Sequence, residues 1–236
     1  MNNTIERWKK GTGKEIKKYP TRSVITFILL LTLAVAFVGA LKQYNWLSVF
    51  EIIAISILIC LPMVIGKLSK IDIPLPFWIL AVAFIYASLF LGEVKNYYAA
   101  YWWWDVLLHA AAGLGFGIIG FVILYMIYKT GKIKTSPKMV AVFSFAFALT
   151  IGTLWEIVEF AIDNTLGFIS NGVPMQSLVN GCGLVDTMKD LILDSAGALF
   201  SSIMGYLYLT KDSGIVVKPL MKEFKKGNPR LFKKRR

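Results

Sequence analysis

The sequence predicts an all-α membrane protein, a polytopic bundle of about six transmembrane helices. Three observations predict this fold class: the mean hydropathy, the length of the apolar segments, and the distribution of the basic residues. The 236-residue chain is 56% hydrophobic and has a mean hydropathy of +0.62, which is too apolar for an ordinary soluble domain. A transmembrane helix needs about 20 mostly apolar residues, and the chain contains six such segments.

The six apolar segments follow one another with short connections and take up most of the chain. They lie near 23–41, 46–66, 74–93, 103–128, 139–162 and 187–209. The first is longer than the roughly 7–15 apolar residues of a signal peptide, so we expect it to be retained as a helix. We therefore expect a basic N-terminal segment at 1–22, a six-helix transmembrane domain at 23–210, and a basic tail at 211–236.

Basic residues are concentrated on one side of this predicted topology. With six spans, all but three of the 26 basic residues fall on the side of the two termini, the exceptions being Lys42, Lys95 and Lys189. The positive-inside rule makes that side cytoplasmic, with both termini inside the cell. We expect a multi-pass protein of the plasma membrane. Because the charge is divided among loops and tails, we expect the basic termini to meet anionic lipid headgroups, and we expect no nucleic-acid partner.

The cysteines and one glycine motif exclude several classes of site. Cys60 lies inside an apolar segment and Cys182 lies in a predicted outer loop, so they form neither a disulfide framework nor a zinc-ligand set. The stretch GFGIIG at 115–120 matches a dinucleotide-binding pattern, but it lies within a predicted membrane helix and follows no strand. We therefore expect no nucleotide loop there.

The last three predicted helices each carry acidic residues at helical spacing near the predicted outer end. Residues three or four apart share one helix face, so each helix presents a one-sided polar stripe. His109 is the chain's single histidine and follows an aspartate by four residues. The stripes contain Asp105 and His109 on the fourth helix, Glu156, Glu159 and Asp163 on the fifth, and Asp186, Asp190 and Asp194 on the sixth.

The same three faces continue inward as small residues, which let membrane helices pack closely. They are Gly113, Gly117 and Gly120 on the fourth helix, Ser144, Ala148 and Gly152 on the fifth, and Gly197 or Ala198, Ser201 and Gly205 on the sixth. We therefore expect these helices to form a tight core beneath a shared polar pocket. Trp102, Trp103, Trp104 and Trp155 are typical of an interfacial aromatic belt.

Structural roles compete with a binding role at several acidic positions. Asp186 is placed to cap the sixth helix, Asp190 to favour its first turn, and Asp163 to end the fifth helix. Glu156 and Asp194 lie deeper in apolar sequence, where a carboxylate is costly unless it is neutralised or hydrated. Neutralisation by a bound cation, protonation of some acids, and a water-filled vestibule are the three alternatives.

Carboxylate-rich sites with little histidine suit hard cations, so we expect a divalent ion such as Mg²⁺, Mn²⁺ or Ca²⁺. Glu156, Glu159, Asp190 and Asp194 are the candidate ligands, with Asp163 and Asp186 as further members of the polar site. His109, oriented by Asp105, is the candidate general base or acid. Three interpretations stay open: an enzyme acting on an envelope lipid or lipid-linked substrate, an ion- or proton-coupled transporter, and a non-catalytic envelope or stress protein with a structural acidic cluster.

The pattern of Asp105 and His109 at a helix start, a Glu-bearing helix, and Asp190, Asp194 and Gly197 resembles the VanZ-like membrane proteins. The stretches WWWDVLLH, WEIVEF and GLVDTMKDLILDSAGAL are similar to a related bacterial and archaeal family of uncharacterised membrane proteins. The resemblance covers about residues 100–210. It implies an envelope-facing membrane protein and supports the site residues, and it implies no particular reaction.

Overall fold

A computed structural model describes residues 19–129, 133–165, 175–176, 183–213 and 216–232. Most of the basic N-terminal segment, the last four residues and most of the loop at 164–185 lie outside the described residues. The placement of Cys182 in an outer loop therefore stays a sequence-based prediction. Within the described ranges the chain is helical and contains no strand.

The six predicted membrane spans are confirmed, each within a few residues of its expected bounds. All six helices are long and apolar enough to cross a membrane. In chain order the elements are α1 (Pro20–Lys42), α2 (Trp46–Ser69), α3 (Leu75–Ile85) with a π-helical extension (Tyr86–Val94), the short α4 (Tyr97–Ala100), α5 (Trp102–Lys129), α6 (Pro137–Thr165), α7 (Leu184–Lys211), α8 (Val217–Gly227) and a 3₁₀ turn (Pro229–Phe232).

The antiparallel helices define two ends of the bundle, which we name by their charged residues. At the acidic end α5 and α7 begin and α6 ends, so the polar stripes of these three helices lie there. At the basic end α1 and α6 begin and α5 and α7 end, close to Arg22, Lys129 and Lys211.

The helices α1, α2 and α3 pack around an apolar core of their own. Its largest fully buried members are Leu33, Ile59, Trp78 and Val82, each about 1% exposed. Asn45 caps α2 because its Oδ1 accepts a hydrogen bond from the backbone N–H of Ser48 at 3.1 Å. This half of the bundle contributes none of the predicted site residues.

The third span changes from an α-helix to a π-helix at Tyr86, which the sequence did not indicate. In the π-helical turn the backbone N–H of Lys95 donates to the carbonyl of Phe90, five residues earlier, at 2.9 Å. The Tyr86 hydroxyl lies 2.9 Å from the hydroxyl of Thr32, which joins this turn to α1. Such turns change the direction in which side chains leave a helix and are frequent near functional sites.

The helices α5, α6 and α7 pack most closely, and small residues are the reason, as the sequence predicts. Ser144, Ala148, Ala198 and Ser201 are all at most 1% exposed. The Ser144 hydroxyl donates to the carbonyl of Gly117 at 2.5 Å, so the backbones of α5 and α6 lie close together. Close contact of this kind supplies the van der Waals packing on which helix association in a membrane depends.

The predicted basic tail contains the amphipathic helix α8, which closes the basic end of the bundle. Its buried residues Val217, Leu220, Met221 and Phe224 pack against the apolar cluster of α5 and α6. They recur at the three- and four-residue spacing of one helix face. Part of the expected tail is therefore an integral part of the fold.

Large apolar side chains on the outer surfaces of the helices agree with a lipid environment. Phe27 is 67% exposed, Val35 68%, Phe50 70% and Ile192 64%. Monomeric soluble proteins rarely expose such extended apolar surfaces. Together with six span-length helices, this surface supports the description of the chain as an integral membrane protein.

Candidate functional site

The candidate site lies at the acidic end, where α5, α6 and α7 bring charged side chains together. Four-residue spacing places Asp105 and His109 on one face of α5, and Asp190 and Asp194 on one face of α7. Glu156 enters from α6. The three stripes that the sequence predicts therefore face one another.

His109 is at the centre of this arrangement. Its Nε2 atom lies 3.5 Å from Oδ1 of Asp105, 3.9 Å from Oε1 of Glu156 and 4.0 Å from Oδ1 of Asp190. Its Nδ1 atom lies 3.5 Å from Oδ2 of Asp194. Four carboxyl groups thus surround one imidazole, and a protonated imidazole balances only one of the four possible negative charges.

The innermost groups are buried and incompletely hydrogen-bonded. His109 is 7% exposed, Glu156 4% and Asp194 1%. Within the described residues, both carboxylate oxygens of Glu156 and of Asp194, and Nδ1 of His109, have no hydrogen-bond partner. The approach of Nδ1 to Asp194 is within ion-pair range but lacks hydrogen-bond geometry. Because buried polar atoms are nearly always satisfied in proteins, these five atoms point to a missing ligand or proton.

Glycines beneath the site allow Asp194 to reach His109. A Cβ atom added at Gly113 of α5 would overlap the backbone of Asp194, and one added at Gly152 of α6 would overlap its carboxylate. A Cβ added at Gly197 of α7 would lie 2.5 Å from the carbonyl oxygen of Ala110. Side chains at these positions would push the helices apart and separate the site residues.

Three potential ligand atoms are close enough to share one ion. One atom each from Asp105, His109 and Asp190 lies within 4.8 Å of the other two. Since Ca²⁺–oxygen distances are about 2.3–2.6 Å, ligand atoms on opposite sides of such an ion are about 5 Å apart. The arrangement therefore fits the dimensions of a small cation site, with Glu156 and Asp194 beside it.

Asp163, near the end of α6, contacts the connecting segment instead of the imidazole. Its two carboxylate oxygens accept hydrogen bonds from the backbone N–H groups of Met175, at 2.8 Å, and Gln176, at 3.0 Å. The buried Gln176 amide in turn donates to the hydroxyl of Thr187 in α7 at 2.6 Å. This chain of contacts joins α6 to the first turn of α7 at the rim of the site.

Glu159 and Asp186 lie close to the centre without approaching His109 within ion-pair range. Glu159 is 9% exposed on α6, and Asp186 occupies the first turn of α7, one turn above Asp190. The structure thus brings Asp105, Glu156, Asp190 and Asp194 around His109 and leaves Glu159, Asp163 and Asp186 at the periphery. Asp105, predicted only to orient His109, is placed as a potential ligand in its own right.

Two neighbouring residues, Tyr98 and Gln176, were not singled out from the sequence. Tyr98 of α4 packs against Gly92, where a Cβ atom would overlap its ring. Burial first, and then the charges of Glu93, Asp105, Glu159 and Asp190, raise the pKa of the Tyr98 phenol. Tyr98 stands beside other aromatic residues in the sequence, a pattern that indicates an interfacial belt. The sequence therefore contained no separate signal for a position of Tyr98 near the site.

The family comparison agrees with the architecture. The family model described as "Predicted membrane protein (DUF2238)" matches residues 22–211, which includes all predicted site residues and all six spans except the first two residues of α1. No solved structure matches the chain.

A protein of Thermotoga maritima, described only as an uncharacterized protein, is 29% identical to the chain over 140 residues. The match covers 58% of this chain and 65% of the relative, slightly less than two thirds of the relative's length. These findings support the expected relationship to an uncharacterised membrane-protein family. The family match extends over most of the sequence, and the chain therefore belongs to the DUF2238 family of membrane proteins.

Proposed function

We propose that the acidic end binds a divalent cation between α5, α6 and α7. The observation that carries this proposal is the set of buried, unpartnered atoms of His109, Glu156 and Asp194. Leaving several buried carboxylates unpaired costs several kcal/mol or more. A dication beside these groups supplies positive charge to them, which one histidine is unable to do for four carboxyl groups.

The donor set favours Mg²⁺, Mn²⁺ or Ca²⁺. Carboxylate oxygens predominate, and a single imidazole nitrogen is available, whereas zinc and copper sites use more nitrogen and sulfur ligands. Asp105, His109 and Asp190 provide the most compact set of ligand atoms. Glu156 and Asp194 complete the site, and Glu159 adds negative charge at its periphery.

The site is proposed to act on an envelope lipid or a lipid-linked substrate from the outer face of the plasma membrane. A divalent cation supplies Lewis-acid stabilisation of negative charge on such a substrate. His109 would move the proton if the carboxylates alone hold the ion, and its Nε2 atom lies 3.5 Å from Oδ1 of Asp105. The orientation rests on the positive-inside rule, which places both basic termini in the cytoplasm near anionic headgroups. We also propose a relationship to VanZ-like proteins, on the basis of the similar site residues alone.

Two alternative functions use the same buried groups differently. In an ion- or proton-coupled transporter, the carboxyl groups would exchange protons or ions during transport. In a non-catalytic envelope or stress protein, they would hold the three helices together. The transporter interpretation is weakened by the position of the cluster at one end of the bundle instead of at its midplane.

A binding titration tests the cation site. Free Mn²⁺ is measured by electron paramagnetic resonance while the ion is added to the purified chain in detergent. Wild type and Glu51→Gln, which is altered on α2 outside the three site helices, are expected to bind one ion per chain. Glu156→Gln/Asp190→Asn is expected to lose this binding. Equal binding by all three proteins would contradict the proposal.

Activity assays then separate the proposed functions. Hydrolysis or transfer on a lipid phosphate that disappears in His109→Gln and in Glu156→Gln/Asp190→Asn, with folding retained, supports the enzyme. Uptake into proteoliposomes driven by an ion gradient supports the transporter instead. If Glu156→Gln lowers the melting temperature by the same amount with and without divalent ions, the result supports a structural cluster.

A further inference from the structure

A second polar feature is a cleft at the basic end, far from the acidic site. It lies where the start of α1, the connection between α2 and α3, and the segment after α8 meet. Its volume is about 430 Å³. Its polar lining residues are Arg22, Lys67, Lys70, Asp72, Asn228 and Arg230.

The inner wall of the cleft is held in place by Asn228, whose side chain is buried. Its Oδ1 atom accepts a hydrogen bond from the backbone N–H of Asp72 at 2.7 Å. Its Nδ2 atom donates to the carbonyls of Asp72 at 2.6 Å and Phe224 at 2.9 Å. The ring of Phe224 also packs edge-on against Phe77 of α3, with centroids 6.4 Å apart. These contacts join the two halves of the bundle beside the cleft and hold its inner wall in place.

Arg22 forms the base of the cleft and has an incompletely used guanidinium group. The residue is 9% exposed, and its guanidinium lies over the ring of Tyr19 at 4.0 Å from the centroid. One terminal nitrogen donates to the carbonyl of Ile73 and lies 3.7 Å from Oδ1 of Asp72. The Nε atom is buried and has no hydrogen-bond partner among the described residues. A buried donor is thus left unpaired beside the cleft.

The charges around the cleft are unbalanced. Arg22, Lys67, Lys70 and Arg230 contribute four positive charges, and Asp72 contributes one negative charge. Asp72 is already close to Arg22, and within the described residues Lys67, Lys70 and Arg230 form no ion pair. These three exposed side chains therefore have charge available for an external anion.

We propose that this cleft binds the phosphate group of an anionic membrane lipid. Lys67, Lys70 and Arg230 would contact the phosphate oxygens, since arginine and lysine side chains bind phosphate through charge-assisted hydrogen bonds. The cleft lies at the ends of membrane-spanning helices, where lipid headgroups are located. A lipid with its phosphate here would place its acyl chains along the apolar outer surface of α2, next to Leu68, which is 78% exposed. The proposal is independent of the cation site.

Native mass spectrometry of the detergent-purified chain tests this proposal with phosphatidylglycerol and phosphatidylcholine as probes. The test variant is Lys67→Gln/Lys70→Gln/Arg230→Gln, which leaves the Arg22 and Asp72 contacts intact. The control is Lys138→Gln/Lys211→Gln/Lys222→Gln, which removes the same charge from exposed positions at the same end. Each of the three test side chains is proposed to make a charge-assisted hydrogen bond to the phosphate, which the control side chains do not make. We therefore expect the test variant to bind phosphatidylglycerol about tenfold or more weakly, and the control to bind it as wild type does.

Three results would overturn the proposal. They are equal loss of binding in the test and control variants, unchanged binding in the test variant, and equal affinity of wild type for the two lipids. Competition with inorganic phosphate distinguishes the source of the anion, because equal affinity for inorganic phosphate would assign the cleft to a soluble phosphate compound. If the triple variant does not fold, Lys70→Gln and Arg230→Gln are measured separately, each with an expected loss of a few-fold.

Discussion

The Nδ1 atom of His109 lies 3.5 Å from Oδ2 of Asp194, although the two residues are on different helices and both are almost completely buried. The approach is possible because Gly113 and Gly152 leave room for the Asp194 backbone and carboxylate. The geometry of the candidate site is therefore a direct consequence of small-residue packing between α5, α6 and α7.

Adding a methyl group at Gly113 should destabilise the protein and disturb the site. The new Cβ atom of Gly113→Ala would overlap the backbone of Asp194, whereas that of Gly115→Ala, on the same helix, meets open space. We expect Gly113→Ala to lower the free energy of unfolding by about 1–3 kcal/mol and Gly115→Ala to leave it nearly unchanged. Reversible unfolding in mixed detergent measures both. Similar stability of the two variants would contradict the close contact between Gly113 and Asp194.

A bound divalent ion should stabilise the native chain. At a free ion concentration of about 100 times Kd, a ligand that binds only the native state adds about 2.7 kcal/mol to the free energy of unfolding. We expect Mn²⁺ to raise the melting temperature of wild type and EDTA to reverse the effect. Glu156→Gln/Asp190→Asn should show no such increase. Stabilisation of the double variant by the same amount would place the ion elsewhere.

Loss of the Asp163 carboxylate should release the segment at 175–176. Asp163→Ala leaves the backbone N–H groups of Met175 and Gln176 without their acceptors, and each unsatisfied group costs about 1–3 kcal/mol when buried. We expect faster hydrogen–deuterium exchange at these two amides. The neighbouring Asn164→Ala serves as the control because, among the described residues, its side chain donates to the carbonyl of Phe160. Unchanged exchange in Asp163→Ala would mean that these hydrogen bonds do not hold the segment.

The Tyr98 phenol should make stability sensitive to alkaline pH. Its pKa is raised above the ordinary value near 10, because burial and neighbouring carboxylates disfavour the phenolate. The native state therefore retains a proton that the unfolded chain releases, and the stability contribution is complete below about pH 10 and decreases above it. We expect Tyr98→Phe to lose less stability than wild type between about pH 9 and 11. Tyr44→Phe is the control, because Tyr44 is 79% exposed, and it should behave like wild type. Identical dependence of stability on pH in all three proteins would contradict this role of Tyr98.

The orientation of the bundle can be measured by thiol labelling. Trp102→Cys places a thiol at the acidic end and Lys70→Cys places one at the basic end, each in a Cys60→Ala/Cys182→Ala background. The positive-inside rule predicts that a membrane-impermeant maleimide labels only the Trp102→Cys variant in intact cells. Labelling of only the Lys70→Cys variant would reverse the proposed orientation and direct the acidic site toward the cytoplasm.

Hydropathy and helical spacing were sufficient to predict the spans and the convergence of the site. Each apolar segment is long enough to span a membrane, and a backbone in lipid must satisfy its own hydrogen bonds, so the helices follow from composition. Four-residue spacing fixed the shared faces of Asp105 with His109 and of Asp190 with Asp194. The small residues beneath them then indicated which helices pack together.

Other features depend on contacts that spacing does not specify. Asp163 has the same helical spacing as its neighbours. However, its carboxylate oxygens accept hydrogen bonds from the backbone N–H groups of a segment that begins twelve residues further on. The apolar residues of α8 have amphipathic spacing, which does not distinguish a helix on a lipid surface from one packed on protein. The change to a π-helix at Tyr86 and the position of Tyr98 likewise depend on the surrounding helices.

The metal content of the purified protein is the most direct test for a divalent cation between α5, α6 and α7. Wild type, Glu51→Gln and Glu156→Gln/Asp190→Asn are purified from divalent-containing buffer, checked for folding, and measured by plasma mass spectrometry. A cation site at the acidic end requires near-stoichiometric Mg, Mn or Ca in wild type and Glu51→Gln, and none in the double variant. Folded wild type without any divalent metal would contradict a cation site, and the buried carboxyl groups would then have to be protonated or hydrated.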